Sequence, residues 1–214
     1  MITAVRAAAA FVAVSLTLSA QAGAAALAVS VIDGDGKPLA DTVVYVELDG
    51  AVSAPRNPKP AEIEQRGLKF LPLVSVIQAG AQIAFPNNDK VRHHIYSFSP
   101  AKKFDQKLYS GVAAAPQVFD KAGTVVLGCN IHDRMIAYVK VLDTPYFAKT
   151  DAAGVARIEL PAAAKGSLKA WHFNMQGAAP AELSVNVKAG ESPTPASFKL
   201  PLKPRDETAA LAGQ

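Results

Sequence analysis

The sequence predicts an all-β protein. Three observations carry this: short runs of alternating or β-branched residues recur along the chain, dense turn chemistry separates them, and no segment beyond residue 26 sustains a helical period. Leu27–Asp33 alternates and runs into Gly34-Asp35-Gly36-Lys37-Pro38, a cluster of turn formers. Thr42–Leu48 is β-branched and alternating, and residues 51–60 form a Pro-rich loop. Phe70–Ile77 reads as one strand, Ala79-Gly80 as a turn, Ala81–Phe85 as a strand and Pro86-Asn87-Asn88-Asp89 as a turn. Arg92–Phe98, Thr124–Gly128, Met135–Val141, Val155–Leu160, Ser167–Trp171 and Leu183–Val187 complete the set. Many short strands with regular turn signals belong to a sandwich or barrel. The tail from Lys203 is polar and Ala-rich and is expected to fray.

Composition narrows the function. The 214 residues suffice for one large domain or two small ones. Lys and Arg number 22 against 18 Asp and Glu, a net charge of +4 spread along the chain. No basic block or nucleic-acid motif is present, so nucleic acid is not an expected partner. With 50% hydrophobic residues, 14 Gly and 15 Pro, disorder and collagen-like structure are excluded. A single Cys excludes an intrachain disulfide. The four histidines, His93, His94, His132 and His172, are too few for a multinuclear centre built on many imidazoles.

The first 24 residues read as a cleaved signal peptide. One positive charge lies within Met1–Arg6, Ala7–Ala20 is apolar, and Gln21–Ala26 is rich in small residues. The segment is Ala-rich, broken by Ser15, Thr17 and Ser19, and lacks a basic stop, unlike a spanning helix. The mature chain is therefore expected to be exported and to keep no membrane anchor. A lone thiol in an oxidising compartment implies that something uses it.

One stretch carries chemistry. Gly128-Cys129-Asn130-Ile131-His132-Asp133-Arg134-Met135 sets a thiolate, an imidazole and a thioether in a short loop between two strands. Upstream, His93 and His94 follow a turn at the start of another strand. Neighbouring strand residues face opposite sides, so only one of these two serves a given site. Two His, one Cys and a weakly bound Met form the donor set of a mononuclear blue-copper site. Thiolate and thioether suit Cu(I), imidazole suits both oxidation states, and a rigid β frame holds one geometry for both.

The element from Phe85-Pro86-Asn87-Asn88-Asp89 to His93, with the Cys-x-x-His-x-x-Met spacing, resembles the cupredoxins, the blue copper proteins that include plastocyanin and amicyanin. His93–Phe98 together with Gly128–Asp133 is most similar to the periplasmic methylamine-utilisation cupredoxin-like proteins. The resemblance covers about residues 68–143. It implies a Greek-key β-sandwich or barrel over 67–143. It implies one copper ion, cycling between Cu(I) and Cu(II), on His93, Cys129, His132 and Met135. His94 is the alternative to His93 or an outer-layer residue. It further implies a periplasmic one-electron carrier, not an enzyme, that meets redox partner proteins. Phe85 and Ile95 are expected around the Cys sulfur, and His132 is expected as the ligand nearest the surface. Two positions depart from the pattern: His94 stands where many members have Asn, and Ile131 where Pro is common.

The flanks carry a second resemblance. Val29–Tyr45 is similar to the opening of a carboxypeptidase regulatory-like, transthyretin-like β-sandwich, and Thr150–Gly154 with Ile158–Pro161 to a later hairpin of it. This implies a smaller discontinuous β-sandwich over 27–66 and 144–203, with 204–214 as a flexible tail. Such modules bind partners or glycans. The competing functions are therefore a copper carrier or storage protein and a carbohydrate- or partner-binding sandwich with a degenerate copper site. A cysteine hydrolase is disfavoured, because Cys129 and His132 share one loop with no third orienting residue. Three features read as structural. Asp33-Gly34-Asp35-Gly36 is a plain turn lacking the later ligands of a calcium loop. Trp171-His172 is a core Trp with a half-exposed neighbour. Lys102, Lys103 and Lys107 form a solvated face that could steer an acidic redox partner.

Overall fold

Strand alternation sorts the apolar residues of this chain into two separate interiors. The computed structural model describes residues 25–50, 57–109, 115–161, 164–188 and 193–204. The expected signal peptide and the tail beyond residue 204 lie outside the described residues. Seventeen strands occur among them. They are β1 (Ala25–Asp33), β2 (Val43–Leu48), β3 (Ala61–Glu62), β4 (Glu64–Gln65), β5 (Phe70–Leu71), β6 (Val74–Gln78), β7 (Ala81–Ala84), β8 (His93–Ser99), β9 (Lys102–Tyr109), β10 (Gln117–Phe119), β11 (Gly123–Cys129), β12 (Ile136–Leu142), β13 (Phe147–Lys149), β14 (Val155–Leu160), β15 (Ala164–Trp171), β16 (Ala181–Val187) and β17 (Thr194–Leu200). The protein is all-β, as its sequence predicts. No helix among the described residues is long and apolar enough to cross a membrane.

The first interior lies between the five-stranded sheet β6-β12-β11-β8-β9 and the three-stranded sheet β10-β7-β3. Val125, Leu127 and Cys129 of β11 and Ala137, Val139 and Val141 of β12 face into it, with Phe85, Ile95 and Phe119. The second lies between β14-β1-β17 and β13-β2-β15-β16, filled by Leu27, Val29, Val44, Val46, Leu168 and Phe198. A third cluster joins the two: Val43 and Tyr45 of β2 and Trp171 of β15 meet Val74 of β6 and Leu142 of β12. β2 is thus covered on both faces, which explains the unbroken apolar run Val43-Val44-Tyr45-Val46. Polar contacts reinforce the junction. Lys149 Nζ donates to the Val74 carbonyl at 3.0 Å and pairs with Asp41 at 2.6 Å, and Lys140 Nζ lies 5.1 Å from the Trp171 ring centre.

The structure corrects several expectations. The single strand expected over Phe70–Ile77 is broken at Pro72, which has no N–H to give. β5 pairs with β4, whereas β6 pairs with β12. Residues 61–66 were expected with the flanking module. Instead β3 pairs with β7, β4 pairs with β5, and Ile63 is buried in the first interior. β9 is hidden in sequence by its lysines, which suit an edge strand. Its alternation also splits the lysine face: Lys103 and Lys107 are exposed, but Lys102 is half-buried, about 6 Å from the rings of Phe104 and Phe119. β17 is masked by Pro195, tolerated on an edge strand. His172 is buried, not half-exposed: its Nδ1 accepts from the Asn174 amide at 3.1 Å, and burial holds its pKa below the usual value. At the Asp33 turn the carboxylate accepts the amides of Asp35 and Lys37, both at 2.9 Å.

Gly166 on β15 lies where β2 passes so close that an added Cβ would sit 2.1 Å from the Glu47 carbonyl oxygen. Gly166→Ala is expected to cost about 1–3 kcal/mol by forcing the two strands apart. Gly34→Ala, with open space around it, should change stability by less than about 0.5 kcal/mol. Urea unfolding of the two variants beside the parent chain checks this.

Candidate metal centre

Two adjacent strands and one loop build the site. β11 runs antiparallel to β8, with Cys129 opposite Ile95 and Gly128 opposite Tyr96. This register brings the end of β11 to the start of β8, where His93 lies. The Asn130 amide donates to the His94 carbonyl at 3.1 Å and ties the loop to that strand. The loop closes on itself: the Cys129 amide donates to the Met135 carbonyl at 3.2 Å, and the Met135 amide to the His132 carbonyl at 2.9 Å. His132 is therefore turned back toward Cys129. Between His93 and Ile95 the pairing of β8 with β9 shifts register, a bulge of the kind that bends sheets beside functional sites.

Three donor atoms converge. His93 Nδ1 and His132 Nδ1 are 3.2 Å apart, and Cys129 Sγ lies 3.8 Å from the first and 3.5 Å from the second. The two rings meet edge-on at 62°, their centres 5.0 Å apart. Among the described residues this is the one group of three or more His, Cys, Asp or Glu side chains placed to hold a metal ion. His93 is fully buried, Cys129 nearly so, and His132 half-buried. Met135 is buried in the same interior as Cys129, Phe85 and Ile95.

The spacing can be tested against a metal. Bonds of about 2.0 Å to nitrogen and 2.3 Å to sulfur, at trigonal to tetrahedral angles, put the nitrogens about 3.3–3.5 Å apart and each about 3.5–3.7 Å from the sulfur. The observed separations of 3.2, 3.5 and 3.8 Å match these closely. Two imidazoles with one thiolate also form a soft to borderline donor set, suited to copper or zinc rather than to calcium or magnesium.

His94 is not part of the cluster. Strand alternation turns it to the opposite face, where its Nε2 contacts the Asp105 carboxylate of β9. Sequence reasoning missed one residue. Asp89, read there only as a turn former, puts its carboxylate 2.8 Å from His93 Nε2. The available signal was its place four residues before a candidate ligand, within a turn that returns to the site.

No protein-family profile matches the chain, and no curated protein matches it. Its similarity is to solved structures of copper proteins. A purple cupredoxin from Nitrosopumilus maritimus is 24% identical over 38% of this chain and 98% of its own, with a TM-score of 0.34. Amicyanin from Paracoccus versutus is 19% identical over 46% of this chain and 96% of its own, at 0.36. A copper-containing nitrite reductase from Thermus scotoductus is 20% identical over 52% of this chain but only 28% of its own, at 0.37. None of these values decides a function, which rests on the donors themselves.

The geometry separates the two neighbouring histidines. His93→Ala and Cys129→Ala should each weaken Cu(I) binding by more than about 100-fold, whereas His94→Ala should change it less than about threefold. Competition against a colorimetric Cu(I) chelator measures all three.

Proposed function

We propose that this protein holds one copper ion on His93, Cys129 and His132, with Met135 as a weak fourth donor, and carries single electrons between partner proteins in the periplasm. The observation that carries the proposal is the convergence of one thiol and two imidazole nitrogens within 3.8 Å on a frame of paired strands. Copper bound there would supply one-electron chemistry between its cuprous and cupric states.

The chain's own residues do the rest. Cys129 and His93 sit on strands locked in one sheet, and His132 is held by the hydrogen bonds of its loop. Donors fixed in this way need little rearrangement when the charge at the site changes. Phe85 and Ile95, fully buried in the same interior, help to keep water from the thiolate and so bear on the potential. His132 is the donor nearest solvent, next to the exposed Ile131, and offers the shortest path to a docked partner. The amino-terminal pattern supports export. In this reading the second interior, built from residues 25–48 and 147–200, belongs to a separate module packed on the copper module.

Titration of the purified chain with Cu(II), followed by visible absorption and EPR, tests the proposal. The expected result is one copper per chain, an intense blue thiolate-to-copper band and narrow copper hyperfine splitting, all lost in Cys129→Ala. A colourless product, or copper uptake indifferent to that substitution, contradicts it.

A further inference from the structure

The polar surroundings of His93 carry an inference beyond the donor set. Asp89 Oδ2 lies 2.8 Å from His93 Nε2 and also accepts the Leu68 amide at 3.0 Å, while Oδ1 accepts the Gly67 amide at 2.6 Å. Those two amides come from the tight turn between β4 and β5, closed by the Arg66 amide donating to the Lys69 carbonyl at 3.0 Å. Both central residues are left-handed, Gly67 at φ 62° and Leu68 at φ 57°. That conformation is uncommon for a leucine, and here it aims two consecutive N–H groups at one carboxylate. Asn87 fixes the other end: its Oδ1 accepts the Asp89 amide at 3.0 Å, and its Nδ2 donates to the Val91 carbonyl at 2.9 Å.

A carboxylate that already receives two amides can only accept from the imidazole. In its neutral form His93 therefore carries its proton on Nε2 and presents the Nδ1 lone pair toward Cys129 and His132.

We propose that Asp89 is a positioning residue for the metal centre: held by the Gly67-Leu68 turn, it fixes the tautomer and ring orientation of His93 and adds a negative charge behind that donor, favouring Cu(II) over Cu(I). The charge effect rests on the copper reading above, but the tautomer does not. Carboxylates in this position strengthen imidazole donors, and their removal costs about 10- to 100-fold in metal affinity.

The test has a metal-free arm and a copper arm. In the purified metal-free chain, long-range ¹⁵N–¹H NMR should show His93 as the Nε2–H tautomer. A predominant Nδ1–H form overturns the proposal and needs neither variant nor copper to be seen. In the copper-loaded chain, Asp89→Asn keeps the shape and removes the charge. It should lower Cu(II) affinity relative to Cu(I) by about tenfold, raising the midpoint potential by about 59 mV. Asp89→Ala should do at least as much, with the thiolate-to-copper band retained. An unchanged potential in folded Asp89→Asn overturns the proposal. If both variants fail to fold, the tautomer of the parent chain decides. A parent chain that takes up no copper defeats the copper reading and the charge effect with it, and leaves the tautomer to be judged by the metal-free arm.

Discussion

The centre depends on the register between β8 and β11. Cys129 faces the first interior because it stands opposite Ile95, and the loop after it returns because its amide and that of Asn130 are both spent on fixed carbonyls. A slip of β11 by one residue against β8 would turn Cys129 outward, to the face where His94 meets Asp105, and leave His93 without its thiol neighbour. Burial enforces the register: Val125, Leu127 and Cys129 on one strand and Ile95 on the other are within 4% of complete burial. Hydrophobic packing thus sets the positions of polar donors that would not meet by their own attraction.

The same economy explains how the two interiors share a wall. β2 and β12 each use one face for their own core and the other for the junction, so Val43, Tyr45, Trp171, Val74 and Leu142 form a layer between them. The Lys149 bond to the Val74 carbonyl crosses that layer directly. His93 and Cys129 lie at the ends of β8 and β11 and His132 in the loop after β11, away from β6, the edge strand on the junction side. The packing of the second sandwich therefore need not disturb them.

Much of this was legible in the sequence, for definite reasons. The main strands follow from alternation, and Cys129, His132 and Met135 stand out because their residue types and loop spacing carry chemistry. What was not legible depended on contacts made at a distance. Asp89 looks like any turn residue until the Gly67-Leu68 turn, more than twenty positions earlier, is folded against it. β9 looks like a charged surface because its inward positions include Lys102 and Gln106, and only pairing with β8 reveals it as a strand. The choice between His93 and His94 needed the strand's facing, which composition does not give. His172 looked half-exposed because its neighbour Phe173, which covers its ring at 4.3 Å, lies outside any predicted strand.

The central claim is that His93, Cys129 and His132 form a site whose donors barely move between oxidation states. Copper K-edge X-ray absorption on the oxidised and reduced chain tests this most directly. Two nitrogen donors and one short thiolate sulfur donor are expected in both states, with each of these distances conserved within about 0.2 Å. Absence of the sulfur, or loss of a nitrogen donor on reduction, would contradict it.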